Sequence, residues 1–102
     1  MIDFIPIISV FENTPTVQKA VLFGSRAKGT ASRYSDIDIA LFGDLDLLEI
    51  ERIACNLEDL PIIQKFDIVS YNHIKNPALR EHIDRVGNII YERTSIQNAI
   101  PM

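Results

Sequence analysis

The sequence is poor in the residues that pin a small protein together from outside its core. A single cysteine, Cys55, among 102 residues excludes an internal disulfide, and two isolated histidines, His73 and His82, provide no Cys/His metal-ligand spacing. Such usage fits a reducing, cytoplasmic setting. Cys55 falls inside a helical pattern, which predicts a packed thiol rather than a reactive one. No apolar run approaches the ~20 residues of a membrane span. The opening MIDFIPIISVF has no basic n-region and no small-residue cleavage site, so it does not read as a signal peptide. Positive charge is also scarce, with 10 Lys and Arg against 14 Asp and Glu and a formal net charge of −4. A protein built for direct, nonspecific nucleic-acid binding carries a basic footprint over the whole domain, and this one does not. One local basic cluster stands out, formed by Arg26, Lys28 and Arg33.

What is present is enough for one modest core. At 47% apolar residues the chain fits one domain, read as residues 1–93. Residues 94–102 show no clear period and read as a tail that either docks on a partner or is disordered.

Apolar spacing predicts the elements. Residues 3–13 read as a helix capped by Asp3, with Pro6 tolerable in the first turn and Ile5, Ile8 and Phe11 on one face. Val17 to Phe23 reads as a strand that places Val21 and Phe23 opposite Leu22. A second strand, Asp36 to Phe42, puts Ile37, Ile39 and Leu41 on one face and Asp36, Asp38 and Ala40 on the other. Asp44 to Leu60 carries Leu47, Ile50, Ala54 and Leu57 at helical spacing. Phe66 to Tyr71 reads as a third strand. Asn76-Pro77 opens a last helix, with Leu79, Ile83 and Val86 inward and Gly87 as its stop. A short strand over Ile89 to Tyr91 can follow. The order predicts an α/β (α+β) domain with a small sheet and helices mainly on one face. The face bearing Asp36 and Asp38 is then left open.

The stretch GSRAKGTASRYSDID, residues 24–38, concentrates the chemistry. Two aspartates at i and i+2 of a strand point the same way with α-carbons about 6.5–7 Å apart. Side by side they repel, unless a hard cation joins them. Mg²⁺ suits the pair, because it takes one or two protein carboxylates and completes its shell with phosphate oxygens. Asp67 is a third candidate, an aspartate inside an otherwise apolar strand, where aspartate is depleted. Three carboxylates can hold two metals about 3.5–4 Å apart, the spacing used for displacement at phosphorus. Gly24 allows a turn that brings the following amides near a ligand, and a helix starting at Ser25 would offer them to an anion. Arg26 and Lys28 can neutralise a polyphosphate locally. Gly24 and Gly29 have P-loop spacing, but Thr30 stands where that motif needs lysine, which excludes a P-loop.

GSRAKGTASRYSDIDIAL resembles the signature of the minimal nucleotidyltransferases of the DNA polymerase beta-like superfamily. The shared pattern is Gly24-Ser25, ten residues, Asp36-x-Asp38, and the later strand aspartate Asp67 in FDIVS. AVLFGSRAKG and HIKNPALREHIDRVGNIIYER resemble it too, so the likeness spans residues from about 14 to 93. It implies a small mixed sheet and a Mg²⁺-dependent enzyme. Asp36 and Asp38 would bind two Mg²⁺ ions, and Asp67 would bind one of them and help activate the attacking hydroxyl. Gly24 and Ser25, with Arg26 and Lys28 beside them, would hold the phosphates of ATP, and pyrophosphate would leave. Stand-alone members resembling this chain are antitoxins paired with a helical HEPN ribonuclease, onto a tyrosine of which they transfer AMP. The resemblance leaves two alternatives: neutralisation mainly by binding and occlusion, and transfer to a small molecule such as an aminoglycoside.

Overall fold

Alternation of apolar residues and one amphipathic helix decide the centre of the molecule. The computed structural model describes residues 2–93; the expected tail, 94–102, lies outside them. The elements run α1 (Ile5–Glu12), β1 (Lys19–Phe23), α2 (Ser25–Lys28), β2 (Ile37–Phe42), α3 (Leu47–Glu58), β3 (Phe66–Ser70), a 3-10 turn (Tyr71–His73), α4 (Pro77–Val86) and β4 (Asn88–Glu92). The sheet order is β3-β2-β1-β4. β1 pairs antiparallel with β2 and β4, while β2 and β3 are parallel. The sheet is therefore mixed. A parallel pair needs a long crossover, and α3 provides it.

The two faces of the sheet are covered by different helices. Leu22, Ile37, Ile39 and Leu41 pack with Ile7 and Phe11 of α1 and with Ile53 and Leu57 of α3. On the other face Val21, Phe23 and Ala40 pack with Ile83 of α4, flanked by Val69, Tyr71 and Leu79. Helices thus lie mainly, but not wholly, on one face. The second face is open at the end where β2 begins, and at Ile89 of β4, which pairs with Val21 and is exposed. α4 covers part of this face because of Ala40, which turns β2 apolar on both sides two residues past Asp38 and lets the helix close down.

Helix phases differ from the sequence expectation in two places. In α1 the buried residues are Ile7 and Phe11, while Ile5 is 75% exposed; the N-cap is Phe4 rather than Asp3, although Asp3 accepts from the Ile5 N–H at 3.0 Å. In α3 the inward pair is Ile53 and Leu57, and Leu47 is exposed. That helix starts later than Asp44 because Asp46 caps it, accepting from the Glu49 N–H at 2.8 Å. Cys55 follows the same phase. Two residues beyond Ile53 it has turned away from the core, and it is exposed rather than packed. Gly87 ends α4 as expected, but with φ −67° it is not left-handed. Glycine is needed there because a Cβ would overlap Val21 Cγ1 and the Ile83 carbonyl.

Arg93 ties the far edge together. Its Nε donates to the Val17 carbonyl at 3.1 Å, and its Nη2 to those of Phe11, Glu12 and Thr14 at 3.2–3.4 Å. One side chain thereby satisfies the connection between α1 and β1 from the end of β4.

Candidate active site

Gly24 is where the site begins. It follows β1 and adopts φ 74°, ψ −154°, a conformation that L side chains rarely adopt. A Cβ at Gly24 would run into the Asp38 Oδ2. The backbone therefore passes directly against the Asp38 carboxylate, and only hydrogen fits between them. Gly24→Ala combines that clash with an unfavourable backbone angle. It is expected to lower turnover by about 100-fold, the cost of misplacing a reacting group by an ångström, with circular dichroism showing a retained fold.

Strand register brings the aspartates together. Phe23, the residue before Gly24, is opposite Asp38. On the other side Asp38 is opposite Asp67 in the parallel pair, and adjacent strands lie about 4.8 Å apart. Asp36 stands just before β2 and is exposed, as is Asp67; Asp38 is half-buried. Burial, then the charges of Asp67 and Asp36, push the Asp38 carboxyl above its ordinary value, and the Arg26 guanidinium partly opposes them. Asp36 and Asp67 thus both bear on Asp38 across two strands.

This arrangement fits a magnesium site. All the donors are hard carboxylate oxygens, and Asp36 and Asp67 are exposed. Among the described residues no three acidic, His or Cys side chains are grouped so as to hold a metal ion by themselves. Mg²⁺ does not require such a group, since substrate phosphates complete its shell.

The crowding has a measurable consequence for stability. A raised folded-state pKa means that folding favours protonated Asp38. The stability this provides is present in acid and is lost as pH rises through the raised value. Asparagine keeps the shape and cannot ionise. In EDTA near neutral pH, Asp38→Asn is expected to melt a few degrees higher than wild type, and the gap closes in acid. A variant that melts lower at neutral pH contradicts this reading of the site.

The connection between Gly24 and Asp36 is an ordered loop. α2 ends at Gly29, left-handed with φ 79°, and the Thr30 N–H returns to the Ser25 carbonyl at 2.9 Å. The Ser35 Oγ accepts from the Ser32 N–H at 2.9 Å. Arg26 does not extend freely into solvent. Its Nε donates to the Ser35 carbonyl at 3.3 Å, and its Nη2 to those of Ser35 (2.8 Å), Ser32 (3.4 Å) and Arg33 (3.4 Å). Lys28 is exposed. Gln64, not singled out from sequence, donates to the Arg33 carbonyl at 2.7 Å. Nothing in the local sequence signals that contact, because it joins residues 31 apart. Arg33 lies over the Tyr34 ring at 5.4 Å, and Tyr34 is 72% exposed beside the site. Tyr71 is occupied elsewhere, stacked on Phe42 and donating to Asp84 at 2.8 Å. A cavity of about 620 Å³ opens next to Arg26 and Arg33, but none of the three aspartates lines it.

A glycine turn against a strand carboxylate, two aspartates at i and i+2 and a third on the adjacent parallel strand form one constellation. The family pattern described as polymerase beta, nucleotidyltransferase, matches residues 6–96. The chain belongs to the polymerase beta nucleotidyltransferase family. Within it, the chain is 36% identical over 69 residues to a Methanocaldococcus jannaschii protein named "Putative protein adenylyltransferase", a match covering 66% of this chain and 72% of that one. Its fold is similar to a chain in the crystal structure of a toxin–antitoxin with AMP-PNP, with TM-score 0.75, 26% identity, and coverage of 96% of this chain and 80% of that one. It is also similar to a chain in the complex of a tri-AMPylated Shewanella oneidensis HEPN toxin with its MNT antitoxin, with TM-score 0.64 and 24% identity over 91% and 71% of the two chains. At that identity the second likeness speaks to fold alone. As a nucleotidyltransferase-family domain, the chain has its carboxylates at the open end of the sheet, where β2 begins. Among the described residues no helix is long and apolar enough to cross a membrane.

Proposed function

We propose that this nucleotidyltransferase is the antitoxin of a cytoplasmic toxin–antitoxin pair, and that it silences a HEPN ribonuclease by transferring AMP from ATP to one of its tyrosines in a Mg²⁺-dependent reaction. The observation that carries the proposal is the placement of Asp38 between the Gly24 turn and Asp67. This sets the backbone of the Gly24 turn directly against one member of a carboxylate pair where β2 begins. The relative named as an adenylyltransferase and the toxin–antitoxin complex holding an ATP analogue support the donor and the partner.

In this reading Gly24 and Ser25, with Lys28 nearby, hold the phosphates. Asp36, Asp38 and Asp67 would hold Mg²⁺, which when bound offsets phosphate charge and polarises the phosphoryl group. The tyrosine oxygen forms a bond to the α-phosphorus, and the bond from that phosphorus to the α,β-bridging oxygen breaks. Pyrophosphate leaves with those electrons, and the phenolic proton passes to the Asp67 carboxylate. Such catalysis is mostly positioning and charge stabilisation. Residues 1–93 would be the transferase domain and residues 94–102 the tail.

The test is to incubate the chain with labelled ATP, Mg²⁺ and its helical partner, and to assay the partner's ribonuclease activity in parallel. Label on a partner tyrosine, with ribonuclease activity lost only when ATP is present, is expected. Full neutralisation without ATP would assign the effect to occlusion. Label on an aminoglycoside and none on protein would overturn the acceptor.

A further inference from the structure

We infer that Arg26 is a positioning residue, a crossbar that fixes the peptide entering Asp36 against the Gly24 turn. The inference rests on the nucleotidyl-transfer reading of the site. Ser25 and Asp36 are separated by ten residues, and the segment from Gly29 to Asp36 contains no helix or strand. A loop of that kind is ordered only by what it bonds to. Its internal contacts are short-range, chiefly Ser32 with Ser35. Gln64 holds it from the β3 side at the Arg33 carbonyl. Arg26 holds it from the α2 side, and its position is particular. Two nitrogens of the guanidinium converge on the Ser35 carbonyl, at 3.3 and 2.8 Å. That carbonyl belongs to the peptide whose nitrogen is that of Asp36, so its direction sets where the Asp36 side chain leaves the backbone.

The crossbar joins the two halves of the site. Arg26 lies one residue after Ser25 in α2, and its far end grips the chain just before β2. A shift of α2 therefore moves the entry to the Asp36–Asp38 pair with it. A planar fork with several donors suits this, whereas an ammonium on a flexible stem donates as a point and does not reproduce it. A guanidinium with four contacts to three carbonyls is committed to the loop, which sets Arg26 apart from exposed Lys28 as a phosphate contact.

The experiment compares Arg26→Ala, Arg26→Lys and, as a control at the far edge of the sheet, Arg93→Ala. For both Arg26 variants kcat is expected to fall between about 10- and 100-fold, the usual cost of removing a group that orients ligands. KM for ATP should stay within about threefold of wild type, and the Mg²⁺ concentration for half-maximal rate should rise about tenfold. Chymotrypsin should cut faster after exposed Tyr34. Arg93→Ala should lower Tm with kcat per folded molecule unchanged. A large rise in KM for ATP with kcat preserved would make Arg26 a phosphate contact. Full kcat in Arg26→Lys would show that charge alone suffices, and unchanged cleavage at Tyr34 would remove the crossbar. If the wild type transfers no nucleotide, the functional reading fails separately. Mn²⁺ affinity by electron paramagnetic resonance and the cleavage rate then decide the matter: weaker binding and faster cutting in both Arg26 variants uphold the crossbar, and wild-type values overturn it.

Discussion

Asp38→Ala is expected to reduce nucleotidyl transfer by about a thousandfold or more, because a carboxylate that anchors charge at the phosphoryl group contributes several kcal/mol to the barrier and each 1.36 kcal/mol is tenfold. Asp38 is the natural choice among the three. It is the half-buried one, it faces Gly24 on one side and Asp67 on the other, and no neighbour can replace it. Folding should not suffer. The side chain contributes no apolar area to either core cluster, and its removal relieves repulsion from Asp67 and Asp36. Single-turnover rates with saturating ATP, beside a melting curve, check both halves. A variant that retains a tenth of wild-type rate would contradict the assignment. One that fails to fold would show the carboxylate to be structural.

The second large effect concerns stability and lies at the opposite edge. Arg93→Ala is expected to cost about 2–3 kcal/mol, since hydrogen bonds from a charged donor are worth more than neutral ones and the Val17 carbonyl loses its donor, while those of Phe11 and Thr14 keep the N–H groups of Thr14 and Val17. Arg93 serves the carbonyls of Phe11, Glu12, Thr14 and Val17, and Phe11 and Val17 are both fully buried. For a domain of this size the loss corresponds to a fall in Tm of roughly 8–20 °C. Urea denaturation gives the direct measure, and a change under about 0.5 kcal/mol, typical of an ordinary surface position, would show that water replaces the guanidinium freely. Arg93→Lys should recover only part of the loss, because a lysine cannot reach four carbonyls in one plane.

The arrangement of the candidate residues was legible in the sequence where it depends on local facts. Asp36 and Asp38 are two apart on a strand, so their common direction follows from the pleat. Gly24 ends an apolar strand, so a turn there is forced. Asp67 was readable from its apolar neighbours, although only the register of β2 on β3 shows that it meets Asp38. The mixed sheet followed from the resemblance, not from periodicity.

What was not legible depends on phase and distance. The buried face of α1 is the one on which Ile7 and Phe11 join the main core cluster, which leaves Ile5 outside. Ile5 and Phe11 are six apart, and apolar spacing alone does not choose between the two registers. The same holds for α3, where the Asp46 cap places Ile53 inward and Cys55 outward. That α4 covers part of the second face follows from Ala40, a small residue whose own hydrophobicity says little. The grip of Arg26 on the 32–35 carbonyls was hidden for another reason. An arginine beside a glycine turn reads as an anion contact, and only the path of the loop reveals backbone carbonyls closer at hand.

Nucleotidyl transfer and phosphoryl transfer are separated by which phosphate travels, and that makes the most direct test of the account. The chain, Mg²⁺ and the acceptor protein are incubated in parallel with ATP labelled at the α-phosphorus and with ATP labelled at the γ-phosphorus. The site described here predicts label on the acceptor from the α position only, released pyrophosphate in equal amount, and neither with Asp38→Ala. Label arriving from the γ position, or arriving undiminished with Asp38→Ala, would contradict it.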